Sequence, residues 1–141
     1  MPRFVDRECD LANGIAGAFS GRAFRRPGWA VVSTHDDTSG STSWMDDSVF
    51  LVQLEPGGGV VRLAHTRSVV DPSMEQDYWA EPQATANPDL TKVLFTTNWG
   101  RSGTEEVETF LVTLPAGWSG TAACPALHVK TVPAVAHAPG A

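Results

Sequence analysis

The chain has 141 residues, 42% hydrophobic and 18% charged, the balance of a folded domain and not of a disordered segment. Its net charge of −6 excludes nucleic acid as a partner, because a phosphate backbone wants a basic face and the one basic cluster, Arg22, Arg25 and Arg26, is too small to supply it. No apolar run approaches the roughly 20 residues of a membrane span, and the length fits one domain with a real core.

Residues 1–13 are polar and carry no clear pattern. Residues 14–20 are small and apolar, a short inner strand or a loop that packs closely. A basic connector follows and ends in the turn pair Pro27-Gly28. Residues 29–34 (WAVVST) alternate as a strand, with Trp29, Val31 and Ser33 on one face. Residues 35–47 form a polar loop with Asp36, Asp37, Asp46, Asp47 and one aromatic, Trp44. That acidity raises calcium as an idea, but the spacing is not that of an EF-hand, so a solvated loop is the reading, His35 included. Residues 48–54 (SVFLVQL) are a near-continuous apolar strand buried on both faces. The EPGGG turn then leads to a return strand at 60–65, the outer edge of its sheet. Residues 66–76 are a loop, closed by Tyr78-Trp79.

Pro88-Asp89 is a turn signal between residues 83–86 and the stronger strand 92–97 (KVLFTT), and predicts a hairpin. Val93, Phe95 and Thr97 share one face, Leu94 and Thr96 the other; apolar groups on both predict burial on both. A third strand at 107–114 is stopped by Pro115. After it, only 127–132 reads as a strand. Residues 1–132 are thus assigned to the folded region and 133–141 to a disordered tail or linker. Residues 29–34 correspond to 92–97, and 48–54 to 107–114. The offset is about 60 residues, longer than the roughly 40–45 of a WD40 blade, and the long loops account for the excess. The fold class is therefore all-β, with about two antiparallel meander blades of a β-propeller. The ring is incomplete, since closure takes about 4–8 blades.

The segments YWAEPQATANPDLTKVLFTTNWG (78–100), VETFLVTLP (107–115) and GAFSGRAFRRPGWAVVST (17–34) resemble the C-terminal blades of bacterial WD40-like β-propellers. The resemblance covers residues 17–115. It implies a propeller, an exported protein in the periplasm or outside the cell, and a distant analogy to oligogalacturonate lyases, whose propeller centre holds histidines and a metal. Residues 1–10 contain no signal-peptide apolar region, so an export signal is expected upstream, and the chain is expected to be the C-terminal part of a longer propeller. The pattern is broken where Leu90 follows Pro-Asp in place of glycine. A left-handed leucine costs about 1–2 kcal/mol, so a turn avoiding positive φ is expected. It is broken again at Ala18 and Gln83, where histidine is frequent among relatives. Both departures count against histidine chemistry.

The candidate ligand-binding residues are His65, Arg67, Tyr78, Trp79, Glu81 and Gln83, grouped in sequence with Asp77, together with the loop residue Trp44. Glu81 and Gln83 open the inner strand and are expected near the channel. The plainer alternative, which the residues favour, is an Arg67–Glu81 ion pair with Tyr78-Trp79 capping the blade. Of the five tryptophans, Trp29 and Trp99 are expected in the core, while Trp44 and Trp118 are the ones expected to meet sugar rings. No catalytic residue is assigned and no cofactor or metal is expected. There is no G-x-S-x-G elbow and no phosphate-cradling glycine loop, and Cys124 with His128 is too small a set for zinc. For Cys9 and Cys124, a disulfide and two buried thiols are both open readings.

The expected function is a non-catalytic binding or scaffold module for carbohydrate or protein, outside nucleic-acid and membrane chemistry. It would be completed by the remaining propeller blades or by other copies of the chain. The alternative is a polysaccharide-lyase-like enzyme on acidic sugars.

Overall fold

A computed structural model of the chain describes residues 16–35, 44–71, 73–104, 106–120 and 128–132. Two antiparallel meanders account for them, each four strands in sequential order. The first sheet contains β1 (Ala16–Ser20), β2 (Trp29–His35), β3 (Ser48–Gln53) and β4 (Val60–His65); the second contains β5 (Thr85–Ala86), β6 (Lys92–Thr97), β7 (Glu108–Thr113) and β8 (His128–Val132). The sheets do not close on one another, as an incomplete set of propeller-like blades would not. Among the described residues, no helix is long and apolar enough to cross a membrane.

The repeat read from the sequence is present strand for strand. Val31 lies opposite Leu51 in the first sheet and Leu94 opposite Leu111 in the second. Alternation then fixes the packing. Val31, Val49 and Leu51 turn to one side of the first sheet and meet Val93, Phe95, Phe110 and Val112 of the second in one core cluster. A register shift after Val49 leaves Leu63 without an opposite residue in β3, and the bulged Leu63 joins this core at 5% exposure. On the far side of the first sheet, Val32, Phe50 and Met45 form a smaller cluster edged by Trp44 and Val52.

Four expectations are corrected. β6 is buried on one face only: Val93, Phe95 and Thr97 are inside, whereas Leu94 is 38% exposed, because the second sheet packs on the first through the Val93 side alone. Leu90 adopts φ 53° after all. Its side chain is fully buried in the shared core. The Asn87 carboxamide oxygen accepts the N–H groups of Thr91 and Lys92, both at 2.9 Å, which fixes the turn around it. Burying a leucine is worth about 1.5–3 kcal/mol, enough to offset the left-handed cost. Trp118 is buried, edge-on to Trp29 with ring centroids 4.9 Å apart, and is core. Trp99 is 44% exposed, at the surface. Cys9, Cys124, Asp36, Asp37 and residues 133–141 lie outside the described residues.

The sheets are also tied by polar contacts. The Ala84 N–H donates to Ser33 Oγ at 3.1 Å, and the Arg25 N–H to Pro88 O at 3.0 Å. β1 approaches β2 so closely that a Cβ at Gly17 would stand 2.7 Å from Ser33 O; only glycine fits.

Candidate functional site

Strands β2, β4 and β6 all end at one rim of the stacked sheets, where β5 begins. Thr97 Oγ1 donates to Thr66 O at 2.7 Å and bridges the ends of β6 and β4. The loops at this rim form one face, and it carries every residue selected from the sequence: Trp44, His65, Arg67, Tyr78, Trp79, Glu81 and Gln83.

The long connection from β4 to β5 is held by side chains standing in for a strand partner. Asn98 is fully buried; its Nδ2 donates to Val69 O at 2.9 Å and its Oδ1 accepts the Val69 N–H at 3.1 Å. Ser68 Oγ donates to Ala80 O at 2.7 Å. Asp77 is fully buried in the 3₁₀ turn Glu75–Ala80. One carboxylate oxygen accepts Ser102 Oγ–H at 2.5 Å and the Asp71 N–H at 3.1 Å, and the other accepts the Gly103 N–H at 2.8 Å. Burial by itself would raise this carboxyl's pKa; the hydrogen bonds from Ser102, Gly103 and Asp71 outweigh it and hold the pKa below its ordinary value. Asp77 is thus a fastening, not a ligand group.

Above this scaffold the aromatics divide. Tyr78 and Trp79 are 59% and 69% exposed and meet edge to face at 5.2 Å. Trp99 lies flat on Phe110 at 5.1 Å with the Arg67 guanidinium 5.5 Å from its ring. Arg67 and Trp99 both have left-handed backbones, φ 52° each, a sparsely populated state for such residues. Trp44 is half-buried against Phe50, with Arg62 over its ring at 5.3 Å, and so is less open to a ligand. His65 is exposed and its Nδ1 accepts the Arg67 N–H at 3.2 Å. Among the described residues, Arg67 and Glu81 form no ion pair; the pairs there are Arg25–Asp89 and Arg101 with Glu106 and Glu108.

Glu81 and Gln83 lie together in a groove of about 250 Å³ with Pro82, Gly17, Ala18 and His35. His35 is not in solvent, as the acidic loop suggested. It is the last residue of β2 and 9% exposed. Ala18 and Gln83, two of the positions where the sequence departs from the resemblance, both line this groove. Among the described residues, no group of three or more His, Cys, Asp or Glu side chains is arranged to hold a metal.

No family model matches the chain, no curated protein matches it, and no solved structure matches it. The fold and the site therefore define a class by geometry: two stacked four-stranded meanders with a braced loop face bearing exposed aromatics and a polar groove.

Proposed function

We propose that this chain is a non-catalytic binding module, two blades of a WD40-like β-propeller whose loop face contacts carbohydrate. The observation that carries this reading is the Tyr78–Trp79 pair, exposed on a turn that the buried Asp77 fastens. Large rings held in water on a fixed support are what a sugar's apolar face stacks on, with the phenol and indole N–H available to its hydroxyls. Rigid support also lowers the entropy lost on binding. Among the described residues, the groove contains one histidine, His35, where lyase chemistry of the related kind would want several; this supports binding over catalysis.

The module would be completed by further blades, from more sequence or from other copies. The half-exposed Leu94 on the open face of the second sheet supports this, since its counterpart in the first sheet is the buried Val31. By the same resemblance the protein works in the periplasm or outside the cell.

The test is the full chain on an array of neutral, amino and acidic glycans. Binding is expected, and is expected to be lost in the Tyr78→Ala/Trp79→Ala double variant with its circular dichroism unchanged. Absence of binding, or binding that survives the double substitution, would overturn the reading.

A further inference from the structure

The two blades treat one equivalent position differently. Asn98 follows Thr97 at the end of β6 as His35 follows Thr34 at the end of β2. The Asn98 carboxamide is spent on the backbone: Nδ2 donates to Val69 O, and Oδ1 accepts the N–H groups of Val69 and Gly100. His35 is 9% exposed and lines the groove, and among the described residues no group hydrogen-bonds its imidazole. Glu81, half-buried, and Gln83, exposed, line the same groove, and among the described residues neither side chain is hydrogen-bonded. Gly17 and Ala18 leave room beside them. The volume, about 250 Å³, is just under the roughly 300–1,000 Å³ of drug-sized sites, room for one small ring.

Charge selects what fits. Among the described residues, Glu81 is the one acidic group that lines the groove and no Lys or Arg lines it, and the chain's net charge is −6. A uronate would bring a second carboxylate against Glu81, whereas an ammonium would complete a charge-assisted hydrogen bond. We infer that the groove formed by His35, Glu81 and Gln83 beside Gly17 and Ala18 is a subsite for an amino sugar, its amine on Glu81 and its hydroxyls on His35 and Gln83. This rests on the reading of the loop face as a sugar-binding surface and names the ligand class for it.

The experiment titrates the isotope-labelled full chain with glucosamine, N-acetylglucosamine and galacturonate, following the Gly17 and Ala18 amides, the His35 ring and the Trp79 indole by NMR. Glucosamine is expected to shift the groove signals saturably. Affinity is expected to be about tenfold lower for N-acetylglucosamine and for glucosamine on the Glu81→Gln variant, the loss of one charge-assisted bond. Ala18→Leu, which narrows the groove and leaves Glu81 unsubstituted, should weaken glucosamine as well. Equal or tighter binding of galacturonate or N-acetylglucosamine would overturn the amine assignment and leave the sugar-binding surface standing. Shifts at Trp79 with none in the groove would overturn the subsite alone. No shift with any sugar would overturn both.

Discussion

Asn98 and Val69 are joined by two hydrogen bonds, from Nδ2 to the Val69 carbonyl and from the Val69 N–H to Oδ1. A side-chain amide thus completes a peptide group that no strand reaches, and the β4–β5 connection is anchored to the end of β6. Truncation would remove the partner of the Val69 N–H and C=O, whose hydrogen bonds are partly buried. Asn98→Ala is expected to cost about 1–3 kcal/mol, read from the denaturant midpoint, and to speed proton exchange at the Val69 amide.

Asp77 makes the loop face acid-sensitive. Its folded pKa lies below the ordinary 3.8 because Ser102, Gly103 and Asp71 donate to the carboxylate against the opposing effect of burial. A depressed carboxyl contributes stability that is complete above the unfolded value and is lost as pH falls through the folded one. The thermal midpoint should therefore fall below about pH 3.8. Asp77→Asn should lower the midpoint at pH 7 and flatten that acid limb. An unchanged acid limb in the variant would contradict the assignment.

The tryptophans separate core from surface. Trp118→Ala removes a ring that is 2% exposed and packed on Trp29, and is expected to cost about 3–5 kcal/mol. Trp79→Ala removes a ring that is 69% exposed, and the stability change is expected to stay within about 0.5 kcal/mol. Paired denaturation curves check both.

Leu90 balances two effects of opposite sign. Leu90→Gly relieves a left-handed cost of about 1–2 kcal/mol, yet gives up a fully buried side chain worth about 2–5 kcal/mol. The variant is expected to be less stable than the wild type in the same measurement. A gain would mean that the turn, not the core contact, limits stability.

These residues also mark where the sequence was legible. Alternation in 29–34 and 92–97 and the near-continuous apolar run at 48–54 were enough to locate β2, β6 and β3 and to reveal the repeat, because strand period and β-branched content are local properties. Trp99 and Trp118 exchanged roles because burial is decided by the partner sheet. Trp99 ends a strand, as a core residue often does, but Arg67 and Phe110 hold it at the surface; Trp118 follows Pro115-Ala116-Gly117, which reads as loop, yet its 3₁₀ turn folds back under Trp29. His35 was masked by its acidic neighbours. Its tell was the repeat itself: alignment of Thr34-His35 with Thr97-Asn98 marks both as strand-end positions. Glu81 and Gln83 were singled out from their place ahead of an inner strand and line one groove, but His35 reaches that groove from the other sheet, beyond the reach of local pattern.

The most direct test of the account is a tryptophan indole spectrum of the full chain during titration with glucosamine oligomers. The account predicts that the Trp79 indole signal moves saturably, while those of Trp29 and Trp118 stay fixed. A Trp79 signal that does not move would contradict the loop face as the site of carbohydrate recognition.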